Sequence, residues 1–302
     1  MNSSIMNFPN RGKYGNNRYP GNCSGYVILE LLKHYQPKKF VEVFAGGGTG
    51  VDVAQSLGMD NSLHLDLNPK YGGWNALKDD MPVGSDFVFS HPAYHDIIAY
   101  SGNAWGNEPH PDDLSRCASY EEFVKKLDHI NAKIYSSLRN GGKHAILVGD
   151  VRRKGDYFSI IKDMNWIGKV ESHIIKTQHN TSTANKSYGN NKLIRIDHEH
   201  LLVFKKNDVW SIPVAVTRKV EQNMKDSTLP SWRDIVQTAM EDLGGKANLH
   251  ELYHVIGDTK KAKKNQHWQA KVRQTLQLSD EFHPIRRGFW GLTFSKNIKT
   301  AI

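Results

Sequence analysis

The chain has 302 residues, 38% of them hydrophobic and 24% charged, which is enough for one large or two ordinary domains with a real core. It lacks the run of about 18 apolar residues that a membrane-spanning helix needs, and the polar N-terminus does not resemble a secretory signal, so we expect a cytoplasmic protein. Forty Lys and Arg against 31 Asp and Glu give a net charge of +9, which favours a polyanionic partner such as nucleic acid.

Strand and helix patterns alternate along the first two thirds of the chain. Residues 40–44 are an apolar run typical of a buried strand, residues 45–50 are rich in glycine, and residues 51–57 have the spacing of a helix. This alternation favours a mostly parallel sheet covered on both faces, so we predict the α/β class. The other predicted strands are 62–67, 86–90, 144–148, 169–176 and 200–204, and the other predicted helices are 120–138, closed by Asn140-Gly141-Gly142 as a C-cap signal, and 157–164.

The C-terminal part has a different pattern. Residues 205–229 are polar and without periodicity, which predicts a linker. From Thr228 onward twelve Lys and Arg stand against seven Asp and Glu, so this part holds +5 of the net +9. Three amphipathic helices followed by a hairpin are typical of a small winged-helix (helix-turn-helix) module. The helices are predicted at 232–243, 249–256 and 268–278, the hairpin at 282–294, and the domains at 1–206 and 230–302 with a linker at 207–229.

The glycine-rich segment lies where the first predicted strand turns into the first predicted helix. Glycines there let the backbone approach a ligand, and the amides of the helix N-terminus are free to bind it. A P-loop is excluded because no Gly-Lys-Ser/Thr follows. Asp66 lies about 20 residues on, at the end of the second strand, where ribose hydroxyls are bound in nucleotide sites. A dinucleotide and S-adenosylmethionine both fit this pattern.

A second motif follows the strand predicted at 86–90. Ser90-His91-Pro92-Ala93-Tyr94 resembles the Asp/Asn/Ser-Pro-Pro-Tyr/Phe motif that DNA amino-methyltransferases carry at the end of their fourth strand. Other segments resemble further motifs of that family in the same order along the chain. They are 18–24, 42–50, Asp66, 140–152 and 195–204.

The resemblance implies a Rossmann-like S-adenosylmethionine methyltransferase domain that methylates the exocyclic amine of a flipped DNA base. In the family, the first motif side chain and a proline carbonyl hold the two amino hydrogens, and the aromatic residue stacks on the base. His91, Pro92 and Tyr94 are therefore the implied catalytic residues. The implied residues of the S-adenosyl-L-methionine site are Asn22, Ser24, Glu42, Phe44, Gly46, Gly48, Asp66 and His91.

Two positions depart from the family motif. His91 stands where Asp, Asn or Ser is usual, and Ala93 replaces the second proline. Neutral imidazole still offers one acceptor nitrogen, whereas the protonated ring offers none. We expect adenine N6 as the target ahead of cytosine N4. The alternatives are a non-catalytic DNA-binding subunit that pairs with an active partner in a modification or defence complex, and an RNA methyltransferase.

The C-terminal module resembles those attached to restriction-modification proteins and some chromatin factors, which implies DNA contacts; a protein-docking module is the alternative. Residues 179–191 and the loop with His95, Asp96, Tyr100 and Trp105 are either substrate-contacting or plain surface loops. Cys23 and Cys117 lack paired ligand spacing, so no metal site is expected. The expected DNA-contacting residues are Lys271, Arg273, Gln274, Gln277, Arg286 and Arg287.

Overall fold

The computed structural model describes residues 1–179, 194–215 and 220–293. The helices and strands of the first part are β1 (Ile5–Met6), α1 (Gly25–Tyr35), β2 (Phe40–Val43), α2 (Thr49–Ser56), β3 (Ser62–Leu65), β4 (Ser85–Ser90), α3 (Tyr120–Ser137), β5 (Leu138–Val148), β6 (Val151–Arg153), β7 (Asp156–Phe158), α4 (Ile160–Asp163), β8 (Lys169–Thr177) and β9 (His198–Lys205). Those of the second part are β10 (Ser211–Ala215), β11 (Val220–Asn223), α5 (Trp232–Asp242), β12 (Lys246–Asn248), α6 (Leu249–Gly257), α7 (Lys260–Lys263), α8 (Trp268–Leu278), β13 (Phe282–Arg286) and β14 (Phe289–Leu292).

A mostly parallel sheet forms the centre of the first part. Within the described chain its seven strands follow the order β1-β8-β9-β5-β4-β2-β3. β2 pairs in parallel with β3 and β4, and β4 pairs in parallel with β5. β9 is antiparallel to both of its neighbours, β5 and β8. The mixed α/β class with a mostly parallel sheet is thus confirmed, and the carboxyl ends of β2, β3, β4 and β5 lie at one edge.

The sheet is covered on both faces because its strands bury side chains alternately on one face and on the other. On β4, Val88 joins the cluster packed against α3, whereas Phe87 and Phe89 join the cluster packed against α1. Fully buried residues such as Leu127 on α3 and Leu31 on α1 contribute about 1.5–3 kcal/mol each by this burial. Among the helices that the structure describes, none is long and apolar enough to span a membrane.

The C-terminal part has its own hydrophobic cluster. Ile235 of α5, Leu252 of α6 and Val272 and Leu276 of α8 are buried in it together with Phe282 of β13. A three-stranded sheet in the order β12-β14-β13 closes one side. α6 and α8 lie at the predicted positions to within one residue, and α5 ends one residue early. β12 was not predicted.

The segment predicted as a linker, 207–229, differs from the expectation. β10 and β11 pair there in antiparallel orientation. Val209, Trp210 and Met224 are buried in the C-terminal cluster. These three apolar residues are spaced too irregularly to give a periodic signal, so the sequence did not predict their burial.

Two further sequence predictions need correction. The predicted helix 157–164 shrinks to α4, because Asp156–Phe158 pairs with Val151–Arg153 as the β6–β7 hairpin. α3 ends at Ser137, so Asn140-Gly141-Gly142 is not its cap and lies within β5. Gly141, at φ 75°, donates its N–H to the carbonyl of Lys206 at 2.7 Å, so the glycine serves a bend at the start of the strand.

Candidate active site

The turn from β2 into α2 is held from behind by Glu42. This buried carboxylate accepts from the N–H of Gly50 at 3.1 Å and contacts Nδ1 of His64 at 2.7 Å. A Cβ on Gly50 would lie 2.4 Å from the Glu42 carboxylate, so only glycine fits there. Phe44 at the start of the turn has φ 68°, a strained value for a residue with a side chain that costs about 1–3 kcal/mol. The fold thus stabilises the turn, and Phe44 and Gly46 of the turn line a cavity.

Asp66 links this turn to the end of β3. Its two carboxylate oxygens accept from the N–H groups of Gly46 and Asn68, each at 2.8 Å. Burial nevertheless raises the pKa of Asp66 to about 6, because desolvation outweighs the two hydrogen bonds. Asp66 is therefore a fixed acceptor at the wall of the cavity, ionised at neutral pH.

A cavity opens beside Asp66, with the glycine turn and several aromatic rings in its wall. Asn22 also lines it, accepting from the N–H of Gly47 at 3.1 Å. Tyr19 and Tyr100 stack at its mouth, with ring centroids 5.7 Å apart. Its walls therefore combine aromatic faces with a few oriented polar groups. Other lining residues are Phe44, Gly46, Trp74, His91 and Trp105.

Three residues predicted to bind the cofactor do not line either cavity described here. Ser24 caps α1, accepting from the N–H of Tyr26 at 3.3 Å and donating to the carbonyl of Arg11 at 3.2 Å. Gly48 is the N-cap residue of α2, at φ 81°, and Glu42 supports the turn from behind. These residues shape the cavity, and their contact with a cofactor stays a prediction.

His91, directly after β4, is tied into a buried hydrogen-bond network. Tyr94 donates its hydroxyl hydrogen to Oε1 of Glu199 at 2.7 Å, so the 2.9 Å contact between that hydroxyl and Nε2 of His91 needs the hydrogen on His91. Burial lowers the pKa of His91 to about 4, which keeps the ring neutral. The network therefore assigns the Nε2–H tautomer and leaves Nδ1 as an acceptor, with no hydrogen-bond partner among the described residues.

Glu199 anchors this network as an anion. Burial opposes its ionisation, but Lys176 and His91, with hydrogen bonds from Lys176 and Tyr94, hold the pKa of Glu199 below its usual value. Burial and Glu199 together raise the pKa of Tyr94 well above 10, so its hydroxyl stays a donor. The Tyr94 ring edge packs on Gly149, where a Cβ would lie 2.7 Å from Cε2. Tyr94 is thus fixed by its hydroxyl and by its edge.

A second, larger cavity also has His91 in its wall. Pro92, Tyr94 and Glu199 line it. Four cations and two anions stand in its wall, and two of the cations, Arg153 and Arg195, pair with Asp96 and Asp197. The cations are Arg152, Arg153, Lys176 and Arg195, and the anions are Asp150 and Glu199.

The two cavities meet at a shared wall. Four residues line both of them, and His91 is the one among them that carries a free acceptor nitrogen. The predicted catalytic residues His91, Pro92 and Tyr94 all line the second cavity, and His91 lines the first cavity as well. The shared residues are Gly21, Asn22, His91 and Tyr100.

Sequence reasoning missed the roles of Glu199 and Lys176. Glu199 lies within the segment 195–204 that resembled a family motif, so the available signal was a carboxylate just before the apolar run of β9. Lys176 ends a strand that the sequence did predict. Its partner Glu199 on β9 could be assigned only from the pairing of β8 with β9.

The two uncertain loops have different outcomes. Tyr100 and Trp105 line the first cavity, whereas Asp96 pairs with Arg153 at 2.9 Å and His95 packs against Tyr120. Of residues 179–191, only His179 lies inside the described part of the chain.

The residues predicted to contact DNA are all solvent-exposed on α8 and the β13–β14 hairpin. Lys271 donates to Oε1 of Gln274 at 3.1 Å, and Arg273 donates to the hydroxyl of Tyr253 at 2.9 Å. Arg286 lies over the ring of Phe289 at 5.2 Å. The charged ends of Lys271 and Arg273 on α8 and of Arg286 on β13 are therefore held by local contacts. Their contact with DNA stays a prediction.

One group of side chains has the spacing of metal ligands, although none was expected from the cysteines. Asp150 follows β5, and His198 and His200 lie on one face of β9. One ligand atom from each residue lies within 4.8 Å of the other two. Because strand pairing places His200 opposite Val148, the sequence alone could not bring Asp150 to these histidines.

Comparison with known proteins gives matches to solved structures only. No protein-family model matches the chain, and no curated protein matches it. A candidate DNA modification methylase from Thermus thermophilus matches with a TM-score of 0.31 and 16% identity, over 56% of this chain and 53% of the other, so the chain spans about half that protein's length. The N-methyltransferase NodS from Bradyrhizobium japonicum, in complex with S-adenosyl-L-homocysteine, matches with a TM-score of 0.36 and 9% identity, over 61% and 86%. These scores are low, so the function is inferred from the site itself.

Proposed function

We propose that the protein is an S-adenosyl-L-methionine-dependent methyltransferase that acts on the exocyclic amine of a DNA base, adenine N6 ahead of cytosine N4. The observation that carries the proposal is the position of His91, which lines both the cavity beside Asp66 and the second, larger cavity. A methyl donor in the first cavity and a base in the second would meet at this residue.

The first cavity has the chemistry that the donor needs. Asp66 is a buried acceptor beside the glycine turn, as ribose hydroxyls require, and Asn22 and the stacked rings of Tyr19 and Tyr100 add a polar edge and apolar faces. When bound, S-adenosyl-L-methionine supplies an electrophilic methyl group. Asp66 would accept from the ribose, and Phe44 and Trp74 would exclude water.

His91 would orient the target amine. The lone pair of an exocyclic amine is conjugated with the ring, so it must be turned toward the methyl group before it can react. Nδ1 of His91 and the carbonyl of Pro92 would accept the two amino hydrogens, and this positioning supplies most of the rate. Nδ1 would also take the proton that the amine loses. Burial keeps the His91 ring neutral by lowering its pKa, and the hydrogen bonds through Tyr94 to Glu199 hold the ring hydrogen on Nε2, so Nδ1 keeps its lone pair.

Tyr94 would stack on the extruded base. Base–aromatic stacking contributes about 1–3 kcal/mol, which offsets part of the cost of flipping the base out of the helix. Because its hydroxyl and its edge are both fixed, the ring is preorganised and loses little freedom on binding.

A polyanionic substrate is supported by exposed Lys and Arg side chains of the C-terminal part. They stand on α8 and the β13–β14 hairpin, and Arg and Lys side chains also line the second cavity. The order α5, β12, α6, α8 and the β13–β14 hairpin fits the plan of a winged helix, in which the last helix enters the major groove. We therefore propose residues 230–302 as a winged-helix DNA-binding domain on a catalytic domain at 1–206, in a cytoplasmic protein.

The proposal is tested by calorimetry with S-adenosyl-L-methionine and by transfer of tritiated methyl to DNA and RNA. We expect stoichiometric cofactor binding and methyl transfer to DNA. Folded protein that binds DNA but no cofactor would favour the non-catalytic subunit, and transfer to RNA alone would favour the RNA methyltransferase.

A further inference from the structure

We propose that Asp150, His198 and His200 form a binding site for a divalent transition-metal ion, Zn²⁺ first, that fastens the end of β5 to β9. The inference concerns residues outside the proposed reaction and does not rest on the proposed function. Two imidazoles and one carboxylate are a ligand set that suits zinc, with bonds of about 2.0–2.2 Å and a further position left for water.

The three side chains lie close together at the start of β9. His198 and His200 are two residues apart on β9, so their side chains leave the same face of the strand. Their rings lie 4.9 Å apart at 89°. Asp150 lies just after the neighbouring strand β5, and one ligand atom of each residue lies within 4.8 Å of the others. Small side-chain rotations bring such atoms to zinc bonding distances.

Two of the three ligand residues, Asp150 and His200, carry a buried polar atom without a hydrogen-bond partner in the described chain. The Asp150 side chain is 6% exposed and His200 is 9% exposed, yet Oδ1 of Asp150 and Nε2 of His200 have no hydrogen-bond partner within the described chain. Nε2 of His200 lies 3.6 Å from the other Asp150 oxygen, beyond hydrogen-bond distance. Leaving such buried atoms unpaired is unfavourable, and a bound cation would offset that cost.

The surrounding groups hold the ligands in the required state. Tyr157 donates to Oδ2 of Asp150 at 2.6 Å, leaving Oδ1 for the ion. Nδ1 of His200 lies 3.1 Å from Nε2 of His173. At that distance Nε2 of His173 can accept from Nδ1–H of His200, which directs the Nε2 lone pair of His200 toward the ion.

The site also has an entry path. Asp150 and His198 line the larger cavity, so an ion reaches them from solvent. Glu199 lies between the two histidines and points to the opposite face of β9. An ion would therefore stabilise the strand that carries Glu199 without touching the His91 network.

The test uses full-length protein freed of metal by EDTA dialysis and titrated with CoCl₂, read by visible absorption, and with ZnCl₂, read by calorimetry. We expect one equivalent to bind with tetrahedral cobalt bands, and a higher unfolding temperature with Zn²⁺. Asp150→Asn, His198→Gln and His200→Gln should each weaken binding at least about tenfold, and His173→Gln by about 10–100-fold. His129→Gln, at an exposed histidine on α3, is the matched control and should bind as the wild type does.

If the metal-free wild-type protein binds neither Co²⁺ nor Zn²⁺ in these titrations, the proposal is wrong. Binding that persists in all three ligand variants, or that is lost equally in His129→Gln, would show adventitious capture by surface histidines. Either result leaves the methyl-transfer proposal intact, because that is read from cofactor binding and DNA methylation.

Discussion

The smallest unit of the proposed chemistry is the hydrogen-bond sequence from Glu199 through Tyr94 to His91. The family motif has Asp, Asn or Ser at the position of His91, and each of these offers an acceptor oxygen. A histidine offers an acceptor nitrogen only when its ring is neutral, and the tautomer decides which nitrogen that is. Glu199 fixes the direction of the Tyr94 hydroxyl, and that hydroxyl fixes the His91 tautomer. His91 was identified from its motif, but its partner Glu199 is 105 residues from Tyr94 along the chain and could be assigned only from the folded sheet.

Replacing Asp66 with Ala should weaken S-adenosyl-L-methionine binding by about 1–3 kcal/mol, because charge-assisted hydrogen bonds to the ribose are lost. Calorimetry measures the change. Unchanged affinity in a folded Asp66→Ala protein would show that the cofactor does not use this carboxylate.

The same residue gives a pH dependence. The pKa of Asp66 is raised to about 6 in the cofactor-free fold, so the carboxyl becomes neutral as pH falls through that value and loses its charged acceptor. Cofactor affinity should therefore be highest above about pH 7 and fall toward about pH 5. Asp66→Asn is the matched control, since its affinity should not follow this titration. A wild-type affinity that is flat across that range would contradict the assignment.

Tyr94 allows stacking to be separated from tautomer control. Tyr94→Ala should abolish methylation and leave cofactor affinity nearly unchanged, because stacking of about 1–3 kcal/mol is lost. Tyr94→Phe keeps the ring but removes the hydroxyl between His91 and Glu199, so we expect a smaller loss in kcat of about tenfold or more. Equal loss of cofactor affinity in both variants would instead mean that Tyr94 supports the first cavity or the fold.

At the scale of elements, the buried strands were the most predictable part. Residues 40–44, 86–90 and 144–148 are apolar runs because their strands are covered on both faces, and each contains or overlaps an observed strand. The predicted helix 157–164 was wrong because Tyr157 and Phe158 pair with β6, a contact that local spacing does not encode. β12 was missed because three residues carry too little pattern, and only the pairing with β14 makes them a strand.

α8 is the element proposed to read DNA, and it gives a prediction of its own. Lys271→Ala and Arg273→Ala should each weaken DNA binding, and a residue that reads a base should also relax sequence preference by about 1–3 kcal/mol at one position. Gln269→Ala, an exposed residue of α8 outside the proposed contacts, is the control. Binding measured on cognate and shuffled duplexes distinguishes the two effects. If neither variant weakens binding, α8 does not contact DNA, and a role in docking protein becomes the better explanation.

At the scale of the whole molecule, the C-terminal part contacts the first part. Arg233 of α5 reaches Asp80 of the first part at 3.3 Å as well as Glu281 at 3.1 Å. Burial raises the pKa of Glu241 to about 7, beside Lys206 at the end of β9. Truncation would therefore expose surfaces that α5 covers, so the charge of the C-terminal part is better tested by substitution than by deletion.

Alanine at Lys271, Arg273, Arg286 and Arg287 together should flatten the salt dependence of DNA binding by about three to four units, since each phosphate contact contributes about 0.9. Cofactor binding should be unaffected. Four alanines at exposed lysines of the first part (Lys13, Lys33, Lys125 and Lys162) are the matched control for net charge. An equal flattening in both variants would mean that net charge, and not the C-terminal surface, sets the affinity.

The most direct test of the central claim is to incubate the protein with tritiated S-adenosyl-L-methionine and DNA, then to digest the DNA and identify the labelled nucleoside. We expect label in N6-methyladenine ahead of N4-methylcytosine, and its loss in His91→Ala protein that still binds the cofactor. Folded wild-type protein that binds cofactor and DNA but labels no exocyclic amine, or a His91→Ala variant as active as the wild type, would contradict the role given to His91.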